Sequence, residues 1–221
     1  RIRLAQIYNK TLDPSKLADP YSEKEKKNAI SEYARMLEVK EKIGHVEIPK
    51  INQDLPIYAG TSEEVLQKGV GHLEGTSLPV GGKNTHAVLT AHRGLPTAKL
   101  FTDLNKMKKG DVFYIHNIKE VLAYKVIDVF VVEPSDFDKV LVVEGKDYCT
   151  LLTCTPYMIN SHRLLVRAER TEYNPAAVEK DLVSQVTGKY KIYLIISLII
   201  IAILLWYYIR QRRRKKNNEI K

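Results

Sequence analysis

No metal-ligand or nucleotide-binding pattern runs through this sequence. Cys-x-x-Cys and His-Glu-x-x-His are both absent, and with them the common structural and catalytic zinc arrangements. Gly81-Gly82-Lys83 lacks the spacing of a phosphate-cradling glycine loop. We therefore expect no metal and no cofactor. Internal repeats and low-complexity tracts are missing too, which sets aside solenoids and disordered linkers. Cysteine is scarce: Cys149 and Cys154 are the only two in 221 residues, so the chain is not a disulfide scaffold. Both lie in Asp147–Cys154, DYCTLLTC, which reads as a buried strand. Side chains alternate faces along a strand, and an odd separation puts these two thiols on opposite sides. A disulfide between them is not expected; one thiol can sit in a core while the other faces a cleft.

Acidic residues are outnumbered, 26 against 35 basic, for a net charge of +9. The excess is local. Residues 210–221 hold seven basic side chains and one acid, a charge of +6 that leaves +3 for the rest. A basic block beside an apolar run marks a membrane border rather than a nucleic-acid surface, so no nucleic-acid partner is expected. The run is Ile192–Ile209, with no charge among its 18 residues. At about 1.5 Å per residue it covers roughly 27 Å, close to the hydrocarbon thickness of a bilayer. Trp206, Tyr207 and Tyr208 stand at its end as an interfacial belt, and the arginines and lysines after them are expected to stay cytoplasmic. The region before the span is then extracellular. The chain opens on Arg1 rather than Met, so further sequence is expected upstream.

The remaining pattern is mainly β. Residues 1 to about 40 look helical, broken at Asp13-Pro14 and at Asp19-Pro20-Tyr21, since proline disfavours helix at and before its position. Ser22 with Glu25 forms a capping box, and Ala29, Ile30, Tyr33, Ala34 and Leu37 follow at helical spacing. From Ile43 the period shortens. Strands are expected over Ile43–Ile51, Leu55–Tyr58, His86–His92, Asp111–Asn117, Val121–Val132, Tyr148–Cys154 and Arg163–Arg170. Short helices are expected over Ser62–Lys68 and within Thr97–Met107. Many short strands with Gly and Pro punctuation point to a barrel or sandwich. The expected layout is an N-terminal helical segment with a loop (1–40), a β domain (41–172), a linker (173–191), a transmembrane helix (192–209) and a basic tail (210–221).

Three side chains near strand ends suit covalent chemistry. Cys154 ends its strand before Thr155-Pro156, and proline does not continue a central strand. A thiol there is held rigidly yet faces a cleft, although buried structural cysteine is the commoner fate. A free thiol, pKa ~8.5, is mostly protonated at neutral pH, so a nearby imidazole helps to form the thiolate and later protonates a leaving amine. His92 ends its strand in this way, with His162 as the obvious rival. Arg163 opens the strand after Cys154, where a guanidinium can donate to a developing oxyanion; Arg167 and Arg170 compete on the same segment.

The residues also carry a resemblance. Thr150-Leu151-Leu152-Thr153-Cys154 resembles the sortase signature Thr-Leu-x-Thr-Cys. Leu89-Thr90-Ala91-His92-Arg93-Gly94 is similar to the sortase histidine segment, and Ser161–Arg167, SHRLLVR, to the segment with the essential arginine. All three stand in family order within residues 40–172. Asp19-Pro20-Tyr21 resembles the lid of class C, pilin-polymerising sortases of Gram-positive bacteria, as do Gly71–Gly82, Thr155-Pro156-Tyr157 and the C-terminal span with its basic tail.

The resemblance implies an eight-stranded sortase-type β-barrel with short helices, anchored in the cell membrane. It implies Cys154, His92 and Arg163 as catalytic residues and Asp19, Pro20 and Tyr21 as a lid. The substrates implied are pilin proteins with Leu-Pro-x-Thr-Gly-like sorting signals, cleaved between Thr and Gly and joined to an acceptor pilin lysine. In the lid, Tyr21 is expected to cover the thiol and Asp19 to pair with Arg163. The same catalytic residues would serve a sortase that anchors proteins to a peptidoglycan amine. Two other classes stay open: a hydrolytic cysteine peptidase, and a non-enzymatic surface module with a structural cysteine.

Overall fold

The computed structural model describes residues 2–21 and 42–218. The capping box at Ser22 and the helical spacing after it lie outside those residues. The chain divides into two units at Tyr173/Asn174.

The first unit is a closed barrel of eight strands. They are β1 (Lys42–Ile48), β2 (Gln53–Ala59), β3 (Val70–His72), β4 (Thr85–Thr90), β5 (Val112–His116), β6 (Val121–Val132), β7 (Asp147–Thr155) and β8 (His162–Thr171). Their order around the barrel is β1-β2-β3-β4-β7-β8-β6-β5, and β5 pairs with β1 to close it. The expected strands are present, with ends moved by a few residues. The addition is β3, where Gly69 and Gly71 mask a three-residue strand. Gly71 is required there, because a Cβ would fall 2.5 Å from the Gly60 carbonyl oxygen. Parallel neighbours need a crossover. Between β2 and β3 it is α2 (Glu63–Lys68), whose first turn is capped by Ser62 accepting from the Val65 amide. Only a 3-10 turn, Leu104–Lys106, stands where a helix was expected within 97–107.

Strands β4 and β7 run parallel through the middle of the sheet. Every residue of β4 is buried, and so is β7 apart from its two ends. Such strands have no solvent face, which explains why they read as near-continuous apolar runs rather than as alternation. Inward, Ala87, Leu89, Cys149 and Leu151 join Phe101, Phe113 and Tyr124 in the main core. Outward, Val88, Leu152 and Leu165 form a second apolar cluster with Leu73 and Val140, against which Leu17 and Tyr21 pack. The N-terminal segment therefore continues the barrel's outer core. Its helix α1 (Ile2–Lys10) is fixed by Asn9, which donates to the Leu78 carbonyl (3.2 Å) and accepts from the Leu78 amide (2.7 Å).

The second unit is one helix, α3 (Pro175–Asn218). Asn174 accepts from the Ala176 amide at 3.1 Å, and proline suits the first helical position. The stretch expected as a linker is thus helical and continuous with the apolar run. Tyr190–Tyr208 has a mean hydropathy of 2.2 and none of it is buried. It is long and apolar enough to cross a membrane.

Candidate active site

Register brings the three candidate residues together. Thr90 of β4 is paired with Leu152 of β7, and the Ala91 amide extends the ladder to the Leu152 carbonyl (3.3 Å). Two residues further along each parallel strand are His92 and Cys154. On the other side of β7, antiparallel β8 sets Arg163 directly opposite Cys154. Strands lie ~4.8 Å apart, so two adjacent strand pairings gather an imidazole, a thiol and a guanidinium at one barrel edge. Thr153 points the other way and locks the edge by donating to the Ala91 carbonyl at 2.7 Å.

Both cysteines are free. Cys149 belongs to the inner core, where burial pushes its thiol well up. Cys154 is 5% exposed. Burial raises its thiol as well, but Arg163 pulls it down, Asp19 pushes it up, and Arg93 pulls it down again. The thiol is therefore protonated in this state, at a place already furnished with cations for a thiolate.

The N-terminal segment closes the site. Asp19 grips Arg163 with both oxygens: Nε donates to Oδ1 at 2.8 Å and Nη2 to Oδ2 at 2.7 Å. Bidentate pairs of this kind are the strong ones. The remaining donor, Nη1, is held by the carbonyls of Asn160 (3.0 Å) and His162 (3.1 Å). Tyr21 donates to the Ala91 carbonyl at 2.7 Å and shares a 2.8 Å hydrogen bond with Thr90 Oγ1. Its ring lies 5.1 Å from the Arg163 guanidinium and 5.6 Å from the His92 ring. Burial raises the Tyr21 hydroxyl far above its ordinary value, so the ring remains a neutral plug. Among the described residues no hydrogen bond joins His92 to Cys154.

The rival residues are otherwise engaged. His162 is bound by Ser161 and Glu133. Arg167 pairs with Asp128, and Arg170 lies over Tyr124. Two residues escaped the sequence reading. Glu63 contacts His92 Nε2 at 3.2 Å; it comes from the first turn of α2, about 30 residues away, and nothing local marks it. Arg93 donates to Thr155 Oγ1 at 2.9 Å; the sequence names it within the histidine segment but gives it no role. A cavity of about 840 Å³ lies elsewhere, at the His86 end of β4 between α1 and Val140–Val142.

The sortase domain family model matches residues 46–171. The chain belongs to the sortase family. It is 34% identical over 135 residues to sortase A of Bacillus anthracis, covering 60% of this chain and 61% of that protein. It is 32% identical over 114 residues to sortase D of Bacillus subtilis, covering 52% and 54%. The chain thus spans little more than half the length of the curated relatives it matches. Solved structures are nearer. A Streptococcus pneumoniae sortase C shares 62% identity over 78% of this chain and 86% of its own, with a TM-score of 0.70. The pilus-related sortase C of Group B Streptococcus shares 60% over 77% and 87%, with a TM-score of 0.72. Sortase C2 of pilus island 1 from the same organism shares 66% over 77% and 95%, with a TM-score of 0.69. The class C resemblance read from Asp19-Pro20-Tyr21 and the C-terminal span agrees with these neighbours.

Proposed function

We propose that this sortase-family chain is a pilin-polymerising cysteine transpeptidase. The observation that carries the reading is Arg163: it faces Cys154 across a strand pair and is held by a carboxylate from a separate segment. Asp19 comes from outside the barrel, so departure of its segment would free the Arg163 guanidinium for a substrate.

The steps follow from the residues. The lid of Asp19, Pro20 and Tyr21 leaves, which frees Arg163 and uncovers Cys154. His92 takes the Cys154 thiol proton, and the thiolate attacks the Thr carbonyl carbon of a Leu-Pro-x-Thr-Gly-like signal, forming a C–S bond. Arg163 donates to the oxyanion. The C–N bond to Gly breaks, and His92 gives its proton to the departing amine. A lysine amine of another pilin then attacks the thioester, loses its proton to His92 and leaves an isopeptide bond with the thiolate restored. One amide replaces another, so no nucleotide energy is needed.

The helix Tyr190–Tyr208 anchors the enzyme in the cell membrane, with the basic tail inside and the barrel outside. The test is incubation of the full chain in detergent with purified pilin, alongside Cys154→Ala. Lysine-linked ladders that require Cys154 are expected, identified by gel and mass spectrometry. Transfer to a peptidoglycan amine without ladders would replace the pilin reading with wall anchoring. Cleavage indifferent to any amine would replace it with hydrolysis.

A further inference from the structure

One charged side chain at the thiol has no task in the mechanism above. Resting on the reading of Cys154 as nucleophile, we propose that Arg93 is a positioning residue of this site. It fastens the turn after β4 to the end of β7 and adds a second guanidinium beside the strand end that carries the thiol.

The turn bearing Arg93 is held from several directions. The Phe101 amide donates to the His92 carbonyl at 3.2 Å, and Phe101 is fully buried in the core. Arg93 Nε donates to the Thr102 carbonyl at 3.2 Å, and the Gly94 amide to Thr102 Oγ1 at 3.4 Å. From that base Arg93 Nη1 reaches Thr155 Oγ1, the residue after Cys154, at 2.9 Å. Its guanidinium also stands 6.0 Å from the Tyr157 ring. Gly94 has φ +92°, and a Cβ there would meet Tyr157 Cε2 at 3.1 Å and Met158 Sδ at 3.3 Å. The loop after the thiol can lie against this turn because position 94 is glycine. The direct bond from Arg93 to Thr155 ties the backbone carrying His92 to the backbone carrying Cys154.

The groups around Cys154 are Arg163 on β8, Asp19 and Tyr21 from the N-terminal segment, His92 and Arg93 after β4, and Glu63 reached through His92. Asp19 offsets part of the Arg163 charge felt by the thiol. Arg93 has no carboxylate partner among the described residues; its bonds go to a hydroxyl and a carbonyl. Its guanidinium is anchored one residue from Cys154, at 2.9 Å from the Thr155 hydroxyl, and its charge adds to that of Arg163 in the direction that favours thiolate. Thiolate is the nucleophilic form. With the lid shut, both cations act against Asp19; with the lid open, both act without it.

The test measures alkylation of Cys154 by iodoacetamide against pH, in the full chain in detergent. Mass spectrometry of the Cys154 peptide keeps Cys149 out of the signal, and no turnover is needed. Arg93→Gln is expected to move the midpoint to higher pH and slow alkylation at pH 7 about three- to tenfold, which corresponds to half to one pH unit. Arg93→Lys, which keeps the charge, should hold the midpoint near that of the parent. Thr155→Val, which keeps the charge and removes the tie, should lower transpeptidation turnover and leave the midpoint in place. An unmoved midpoint in Arg93→Gln, with or without a lower melting temperature, overturns the charge assignment. A Thr155→Val midpoint displaced as far as that of Arg93→Gln does the same. Unchanged turnover in Thr155→Val overturns the fastening role. Should Arg93→Gln fail to fold, Arg93→Met takes its place in the same assay. If Cys154→Ala still joins peptides, the nucleophile reading falls separately, while the alkylation profile still judges Arg93.

Discussion

The two ends of the β4–β7 pair carry similar groups and treat them differently. At the start of the strands, His86 is fixed between the Leu141 carbonyl (2.9 Å) and Thr150 Oγ1 (2.8 Å). Asp147 accepts from the Gly82 amide, Thr85 and Tyr124. Every one of these partners belongs to the barrel or its loops. At the finish, Arg163 gives Nε and Nη2 to Asp19 and only Nη1 to carbonyls of the barrel's own loop and strand, and the site is plugged by Tyr21. Polar groups satisfied by the barrel itself are structural. Polar groups satisfied by a segment that precedes the barrel remain available once that segment moves. The cysteines repeat the contrast: Cys149 sits among core side chains, while Cys154 lies opposite Arg163 under a segment that precedes the barrel.

The sharpest way to break the comparison is to exchange the thiols. Cys154→Ala is expected to abolish ladder formation and leave the melting temperature within a few degrees, since little volume is lost at a strand end. Cys149→Ser should do the reverse. It buries a hydroxyl at a fully enclosed core site, at a cost of about 1–3 kcal/mol, with ladders retained at temperatures where the protein is folded. Gel assay and calorimetry on both variants decide the matter.

The structural end should be visible in pH. Burial first, and also Arg167, depresses His86 to about 4 from 6.5; burial depresses His72 to about 4. A depressed pKa means that the unfolded chain binds the proton first. The stability is full above about pH 6.5 and is lost as pH falls toward 4, on the order of 3 kcal/mol for each histidine. Melting temperature measured from pH 7.5 to 4 should fall in that window. Changing His86 to Gln should lower stability at neutral pH and flatten the slope by about half. An unchanged slope would remove His86 from the structural end.

A third effect is smaller and belongs to the lid. Asp19→Ala should raise the rate at which a bulky thiol reagent labels Cys154, by about tenfold if the paired contacts hold roughly 1.4 kcal/mol of lid docking. Global stability should change little, because a released Arg163 turns to solvent rather than staying buried without a partner. A large drop in melting temperature with unchanged labelling would make Asp19 part of the barrel and erase the distinction between the two ends.

Much of this was legible beforehand, for reasons that can be located. The strand Val121–Val132 was read with its observed ends, and β4 and β7 stood out because strands buried on both faces are apolar throughout. The odd separation of Cys149 and Cys154 placed them on opposite faces. The Asp19–Arg163 pairing and the placement of Tyr21 over the site came from the family resemblance, since no local pattern joins residues 144 positions apart. What escaped was set by tertiary approach alone. The strand β3 is three residues long and holds a glycine, and Glu63 meets His92 only because the β2–β3 crossover helix starts within reach of the turn after β4.

That last contact gives the mildest prediction. Glu63 is half-exposed and sits at 3.2 Å from His92 Nε2, in the first turn of a six-residue helix capped by Ser62. Exposed pairs of this kind contribute up to about 1 kcal/mol, and part of that is loss of ring orientation rather than of charge. Glu63→Gln keeps the shape and a hydrogen-bonding oxygen. It should reduce kcat for a sorting peptide about twofold and leave KM unchanged, since in the proposed mechanism His92 acts on the leaving amine and not on binding. Glu63→Ala should do slightly more, and Ser62→Ala, which loosens the helix by about 1 kcal/mol, should act in the same direction. A tenfold fall in Glu63→Gln would mean that the imidazole is oriented by this carboxylate as a working unit. The reactive end would then also depend on a partner built into the barrel, and the contrast between the two ends would narrow to the lid and Arg163.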